Sequence, residues 1–449
     1  MGKRAICAVL VALAAPGVVR AQAAGPAGAR PGGEVGVEER LRSEAWNDIV
    51  DHDRQREDHR IQYRARTRLW ARLDWNGRAE LALGLNGENR VNQRPDAPEN
   101  WDEVVFETLY AGFRVGEHLS VRAGRQDLMR GEGFVLFDGG ALDGSRTAYF
   151  NALDVAWQAK TSRLELIAIS NPARDQYLPR FNDRNKPLAE WDERALGLYF
   201  TRAAGPGPGV EAYWFYKTET DATCGPADPK FQPDRGLHTL GARVAGALGA
   251  GWSGSAELAL QHGRQDERPG ADTGDVDVSG WGGLAQVRKT FAGKASPTLA
   301  LGYVGLSGDD PATADVEGWD PLFSRWPKWS ELYIYSQVPE RGVAYWTNLG
   351  MWQAEFVATP LPPLKLRATY YRMRAFERHP GGPLFGGGRA RGDLYQLRAD
   401  VKFNRNWRGH AVCERLEPGD FYTGADPGYF LRFEIVYAAS HKFGPRPGA

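Results

Sequence analysis

The sequence has few cysteines and, beyond its N-terminus, no apolar run of membrane-helix length. Three of the 449 residues are cysteine, and only Cys224 and Cys413 follow the apolar N-terminal segment. One falls in a predicted loop and the other, far along the chain, in a predicted strand, which argues against a disulfide scaffold. The mean hydropathy of −0.49 and the missing apolar runs exclude ordinary transmembrane helices. They do not exclude a membrane barrel, whose strands alternate polar and apolar residues.

The chain also lacks net charge and the motifs of common enzymes. It has 56 basic and 56 acidic residues, so any positive field must be local. There is no Walker loop, dinucleotide fingerprint, HExxH motif or metal-ligand spacing of histidines. We therefore expect no catalytic site, no cofactor, no metal and no nucleic-acid partner. Acidic clusters at 272–278 and 308–311 are compatible with calcium ligation, but solvated acidic loops are the commoner case.

The N-terminus has the pattern of a secretory signal peptide. Lys3 and Arg4 precede the apolar stretch "AICAVLVALAAPGVV", and "AQA" at 21–23 fits a cleavage site. Removing Lys3, Arg4 and Arg20 would change the formal charge from 0 to −3. The predicted organisation is a signal peptide (1–23), a flexible linker (24–33), one large β-domain (34–443) and a C-terminal tail (444–449).

The β-domain alternates short and long connections between short, alternating segments. Asn76-Gly77 is a strong tight-hairpin signal, and the next connection, near 86–102, is long and polar. Nine long and eight short connections separate 18 predicted strands, from 34–46 to 429–443. An even strand number with short turns at one rim is typical of outer-membrane barrels. The sequence thus predicts an all-β fold, an 18-stranded antiparallel transmembrane β-barrel with short periplasmic turns and long extracellular loops.

Aromatic residues near predicted strand ends support this prediction, because membrane barrels carry aromatic girdles there. The tryptophans concerned are Trp75, Trp101, Trp157, Trp252 and Trp407. The last predicted strand ends on an aromatic residue, Phe443, and six residues follow it. Outer-membrane barrels typically finish on such an aromatic-terminated strand, which the barrel assembly machinery recognises.

Residues 60–75, "RIQYRARTRLWARLDW", contain five arginines. In a strand they would share one polar face, with Trp70 as its single exception; in a helix, Ile61, Ala65 and Leu69 would form an apolar row. The hairpin signal after Trp75 and the rhythm of the connections favour the strand.

A basic lane on such strands would point into a barrel lumen, where it favours anions and can bind carboxylates bidentately. Alternatively, these side chains pair with lumen carboxylates such as Glu38, Glu107 and Glu434. The candidate pore-lining residues are Arg60, Arg64, Arg66, Arg68, Arg72, Arg122, Lys365, Arg367, Arg398, Lys402 and Arg432.

Three stretches resemble the bacterial alginate export porin family: "VRAGRQDL" (121–128), "LDGSRTAYFNALDVAW" (142–157) and "GHAVCERLEPGDFY" (409–422). The resemblance implies an 18-stranded outer-membrane barrel with an electropositive lumen that passes a polyuronate such as alginate. Strict strand alternation would point Arg125 outward unless a bulge intervenes. The pore-wall and structural residues that the resemblance implies are Arg125, Gln126, Asp143, Arg146, Glu414, Pro418, Gly419 and Asp420.

The expected function is diffusion of an anionic carbohydrate through an arginine-lined channel in the outer membrane. The expected partners are outer-membrane lipid, the carbohydrate, the barrel assembly machinery and periplasmic polymer-secretion components. Uptake of other small anionic or neutral solutes is one alternative. A barrel enzyme is another, because the members of a catalytic triad need not be adjacent in sequence. The sequence leaves the direction of transport open.

Overall fold

The computed structural model describes residues 31–95, 97–101, 104–138, 150–181, 188–205, 207–226, 231–267 and 274–444. The predicted signal peptide, most of the predicted linker, Asp143, Arg146 and most of the predicted tail lie outside these ranges. Within them, no helix combines the length and apolar character needed to cross a membrane. Cys224 and Cys413, the cysteines in the described part of the chain, are not joined by a disulfide.

Eighteen antiparallel strands form a closed barrel; in addition, β4 extends the pairing of β3, and β7 and β8 form a separate small hairpin. The described strands, in chain order, are β1 (Gly32–Asn47), β2 (Arg60–Trp75), β3 (Ala79–Arg94), β4 (Ala97–Trp101), β5 (Val105–Val115), β6 (Leu119–Gln126), β7 (Leu128–Met129), β8 (Phe137–Asp138), β9 (Phe150–Gln158), β10 (Ser162–Asn171), β11 (Asp192–Arg202), β12 (Gly209–Thr220), β13 (Arg235–Gly249), β14 (Trp252–Gln265), β15 (Val276–Thr290), β16 (Thr298–Leu306), β17 (Leu349–Leu361), β18 (Leu364–Arg374), β19 (Ala390–Lys402), β20 (Trp407–Pro418) and β21 (Gly428–Phe443).

The first and last strands close the barrel. β1 pairs with β2 on one side and with β21 on the other, in a register that runs from Gly33 opposite Phe443 to Asn47 opposite Tyr429. Closure removes the unpaired sheet edges that no membrane-spanning sheet can tolerate. The predicted 18-stranded fold is therefore confirmed.

The turn between β2 and β3 shows why the short connections can be so short. Asn76 and Gly77 have φ angles of 53° and 70°, and Gly77 N donates to Asp74 Oδ1 at 2.7 Å. Positive φ at both central residues matches the twist of the flanking strands, so that a tight hairpin forms. Connections of this kind lie at the rim where β1 begins and β21 ends.

The two faces of the wall differ as a membrane barrel requires. On β1 and β2, Leu41 is 51% and Leu69 is 48% exposed, whereas Arg40 and Arg66 are only 1% and 3% exposed. The apolar face is turned to the lipid and the polar face to the lumen. Residues 60–75 accordingly form a strand, β2, and not a helix.

Four of the predicted girdle tryptophans lie exposed at strand ends next to the short connections. They are Trp75, Trp157, Trp252 and Trp407. Phe443 ends β21 at the same rim. This aromatic belt marks one membrane interface of the barrel.

Two connections fold into the barrel. The lumen hairpin (residues 127–138) contains β7 and β8, and the lumen segment (residues 307–348) contains the short helix α1 (Tyr333–Ser336). The lumen segment bonds to β12 and to β21, which lie on opposite sides of the ring. Phe134 of the lumen hairpin stacks on Trp319 of the lumen segment, with ring centroids 5.0 Å apart. An apolar core therefore fills the half of the lumen next to the long connections, which the alternating strand pattern does not indicate.

Candidate functional site

The half of the lumen next to the short connections contains a cavity of about 770 Å³, which we call the basic cavity. Strands β1, β2 and β18 to β21 form its wall. Trp326 of the lumen segment also lines it, from the side of the long connections. The charged residues lining it are Glu38, Arg40, Arg66, Arg68, Lys365, Arg398, Asp400, Lys402, Arg405, Arg408 and Glu434. Six arginines and two lysines thus line the cavity with three carboxylates, and even with Glu88 and Glu107, which pair with two of the arginines from outside the lining, the local charge is positive in a chain without net charge.

Strand alternation explains how these side chains meet. Arg398, Asp400 and Lys402 occupy every second position of β19 and share its inner face. Leu397, which directly precedes Arg398, is 62% exposed on the lipid side. β18 behaves alike, with Lys365 inside and Leu366 40% exposed outside. The basic lane is thus a consequence of period-two patterning on strands already fixed by their lipid-facing residues.

Most cations of the basic cavity are already ion-paired. Lys365, Lys402 and Arg405 differ: they are exposed to the cavity and have no ion pair among the described residues. Arg405 only donates, through Nε, to Asn406 Oδ1 at 3.1 Å. The paired cations and their distances are Arg40 with Glu88 (2.7 Å), Arg66 with Glu38 (2.9 Å), Arg68 with Glu107 (2.7 Å), Arg398 with Asp400 (2.8 Å) and Arg408 with Glu38 (2.6 Å).

A second group of basic residues, nearer the long connections, is ion-paired with buried carboxylates. Arg64 Nε donates to Glu88 at 2.8 Å and its Nη1 to Glu44 at 3.1 Å. Arg432 donates to Glu44 at 2.7 Å and to Glu331 of the lumen segment at 2.6 and 2.8 Å. We call these five residues the charge seam, because they bridge β21, β1, β2 and β3 where the barrel closes. Each is less than 9% exposed.

The other predicted pore-lining residues lie apart from the basic cavity. Arg60 and Arg72 are exposed at opposite ends of β2, with the Arg60 guanidinium 5.9 Å from the Trp46 ring centroid. Arg122 donates to Glu80 at 3.1 Å and covers the Tyr110 ring. Arg367 lies 3.3 Å from Glu355.

Arg125 is enclosed rather than lining the cavity. Its guanidinium donates to Asp175 at 2.9 and 2.7 Å and to Asn151 at 3.0 Å, and the residue is 1% exposed. The neighbouring Gln126 donates to Ala152 O at 3.0 Å. Both residues fasten the end of β6 to adjacent structure. Asp143 and Arg146 lie outside the described residues.

The residues around 414–420 attach the lumen segment and the outer connections. Glu414 accepts hydrogen bonds from the backbone N–H groups of Glu331 (2.9 Å) and Leu332 (3.2 Å) at the start of α1. Asp420, two residues beyond Pro418, accepts one from Ala390 N at 2.8 Å. A Cβ on Gly419 would lie 2.2 Å from Ala390 O, so this close approach requires glycine.

Sequence reasoning missed the cations that hold the lumen segment. Lys217 donates to Leu322 O at 2.8 Å, Arg391 binds Glu340 at 2.6 Å, and Arg325 binds Glu193 at 2.7 Å. Burial alone would lower the pKa of Arg325, but Glu193 and Glu190 hold it above its ordinary value. Burial lowers the pKa of Lys328. A signal was present, because a solvated outer loop rarely contains the four tryptophans Trp319, Trp326, Trp329 and Trp346.

In the described part of the chain, no three histidine, cysteine or carboxylate side chains are arranged to hold a metal ion.

A comparison with protein families decides the assignment. The alginate export family model matches residues 34–432. The chain belongs to the alginate export family. A search of curated proteins gave no match. As a member of the alginate export family with a closed 18-stranded barrel, the protein is an outer-membrane channel.

Solved structures show the same fold for this alginate export family member. Pseudomonas aeruginosa OccK2 (OpdF), crystallised in complex with glucuronate, is similar with a TM-score of 0.56 and 14% identity, covering 91% of this chain and 98% of that one. P. aeruginosa OccD3 (OpdP) gives 0.56 and 12%, with 93% of each chain covered. P. aeruginosa OprD gives 0.55 and 11%, covering 90% and 95%. At these identities the likeness concerns the fold alone.

Proposed function

We propose that this protein lets an anionic carbohydrate, an alginate-like polyuronate or its oligosaccharides, diffuse through an arginine-lined lumen across the outer membrane. The observation that carries the proposal is the charge of the basic cavity: its eight cations outnumber the three carboxylates that line it and the two, Glu88 and Glu107, that pair with its arginines from outside the lining. Three of those cations, Lys365, Lys402 and Arg405, have no ion pair in the described ranges and are available to a solute.

The mechanism is electrostatic and involves no chemical step. Fixed positive charge between low-dielectric walls raises the local concentration of anions. The cations already paired with Glu38, Glu107 or Asp400 bind a passing carboxylate more weakly than the three unpaired cations do, since the protein carboxylates compete for them. A polyanion can therefore move between sites without being trapped at one. A polyuronate carries one carboxylate on each sugar ring, so it can contact several cations of the lumen wall in succession.

The comparisons support this proposal in two ways. The family is described by alginate export, and alginate is a polyuronate. A protein of the same fold, OccK2, was crystallised with glucuronate, a single uronate unit.

Ion selectivity in planar bilayers tests the proposal. The unmodified channel should prefer anions, and K365Q/K402Q/R405Q should lower the anion-to-cation permeability ratio severalfold, because it removes the unpaired positive charge. The control K160Q/K294Q/K442Q removes the same charge from lysines that do not line the basic cavity and should leave the ratio nearly unchanged. A cation-selective unmodified channel would overturn the proposal. Equal passage of neutral and anionic trisaccharides would instead indicate a general porin.

A further inference from the structure

Trp326 occupies a distinctive place at the boundary between the two halves of the lumen. It belongs to the lumen segment, yet it lines the basic cavity together with Lys365, Lys402 and Arg405. The other three tryptophans of the segment are buried, with exposures of 2%, 9% and 2%. Trp326, in contrast, is partly exposed and contributes to the lining of the basic cavity.

The indole is held in a fixed position. Phe137 of the lumen hairpin stacks on it with ring centroids 4.3 Å apart and planes 29° apart. Its Nε1 donates to Ser324 Oγ at 3.1 Å and to Gly133 O at 3.4 Å, and Lys328 Nζ lies 5.5 Å from its centroid. An aromatic surface fixed in advance loses little entropy when a ligand packs against it.

A hexuronate has two chemically distinct parts. The C–H groups of its pyranose ring form an apolar face, and its carboxylate projects from the ring edge. A binding site for such a unit combines an aromatic surface with a few placed charges, within a cavity of several hundred Å³. The basic cavity, at about 770 Å³, has this composition.

We propose that Trp326 is the stacking platform for a pyranose ring of the carbohydrate, while Lys365, Lys402 and Arg405 bind its carboxylate. This inference rests on the proposed function and sharpens it, since Trp326 would make the channel select uronates over carboxylates that lack a sugar ring. The cations alone supply attraction to any anion. The platform supplies the preference among anions.

Block of single channels by two probes tests the platform. A linear triuronate and tricarballylate carry the same number of carboxylates, but only the first has pyranose rings. The unmodified channel should bind triuronate more tightly. W326L should weaken triuronate binding about tenfold, the effect of losing one aromatic stacking contact of roughly 1.4 kcal/mol. It should leave tricarballylate binding and the anion-to-cation permeability ratio unchanged.

Matched variants keep the test decisive. W326F retains an aromatic face and should keep most of the preference for triuronate. W352L removes a tryptophan that is 65% exposed on the lipid side and should change nothing. Should W326L fail to fold, W326M, which fills the space without an aromatic face, carries the same expectation.

Two results would overturn the platform. One is an equal effect, or no effect, of W326L on the two probes; the other is an unmodified channel that does not distinguish them. If that channel is still anion-selective, the proposed function survives and only the platform fails. A cation-selective unmodified channel would remove both.

Discussion

Both halves of the lumen contain basic side chains, but these side chains are ion-paired in one half and partly unpaired in the other. Next to the long connections, Arg64 and Arg432 each bind two carboxylates and are 7% and 3% exposed. Next to the short connections, Lys365 and Lys402 are exposed to a cavity and have no ion pair among the described residues. A count of lumen arginines therefore does not locate a solute path. The balance of cations and carboxylates around one cavity is what supports the proposed path.

The physical cause of the difference is burial. Moving a charge out of water costs several kcal/mol unless a partner compensates it. The lumen segment and the lumen hairpin fill the half next to the long connections, so each buried cation there needs a carboxylate partner. In the half next to the short connections, Lys365, Lys402 and Arg405 are exposed, so that water can solvate them without a carboxylate partner.

The largest expected effect comes from breaking the charge seam. R432M should destabilise the protein by about 3–5 kcal/mol, because Glu44 and Glu331 would remain buried with one cation fewer. Heat-dependent gel mobility and urea unfolding of the detergent-solubilised barrel measure this loss.

K402M is the matched change in the basic cavity and should have little effect on stability, because Lys402 is exposed and has no ion pair among the described residues. Similar unfolding midpoints for R432M and K402M would contradict the distinction between the two halves.

A somewhat smaller effect is expected from the apolar core inside the barrel. Phe134 is 3% exposed and stacks on Trp319, so F134A should leave a cavity that costs about 3 kcal/mol. This cost falls on the contact between the lumen hairpin and the lumen segment. Single-channel recordings should therefore show larger and noisier currents.

The control F433A removes a phenylalanine of β21 that is 55% exposed on the lipid side. Its currents should match those of the unmodified channel. Quiet, unchanged currents in F134A would show that the apolar core does not restrict the lumen.

The smallest expected effect concerns the connection 48–59, above the charge seam. Burial lowers the pKa of His52 to about 4, from an ordinary value of 6.5. The folded connection thus resists protonation, and the stability from neutral His52 is complete above pH 6.5 and lost as the pH falls towards 4. Burial and the charge of Asp58 raise the pKa of Asp48 to about 6, so its contribution has the opposite sign and is lost as the pH rises through 6.

In H52F only the Asp48 contribution remains of the two, so the protection of 48–59 against hydrogen exchange should rise on acidification relative to the unmodified protein. Protection factors between pH 7 and pH 4.5 measure this. H59F changes another histidine of the same connection and should behave like the unmodified protein. Parallel pH profiles for H52F and the unmodified protein would exclude His52 as the titrating group.

Much of the barrel could be predicted from local signals. Asn76-Gly77 specifies a hairpin through backbone conformation alone, and the lipid-facing residues of β2 and β19 alternate without regard to the rest of the chain. These features depend on neighbours in sequence, so the strand number and the closing strands followed from the sequence.

The candidate site was less accessible. Lys365, Arg398 and Lys402 were named in advance, but Arg405, Arg408 and Trp326 were not. The first three stand in alternating strands, where the inner face can be recognised. Arg405 lies in a short connection and Trp326 in a long one, where no periodicity indicates direction. Arg408 is only the second residue of β20, at the edge of the alternating pattern.

The sequence by itself determined the alternating strands, the rhythm of the connections and the basic lane of β2. Only the tertiary structure decided which basic residues are neutralised, because ion pairs such as Arg432 with Glu331 join residues far apart in the chain. Trp70, which interrupts the polar face of β2, shows the same limit. A Cβ on Gly36 of the neighbouring strand would lie 2.1 Å from the indole of Trp70, so only a glycine leaves room for this ring. The space for Trp70 therefore exists only once the two strands pair.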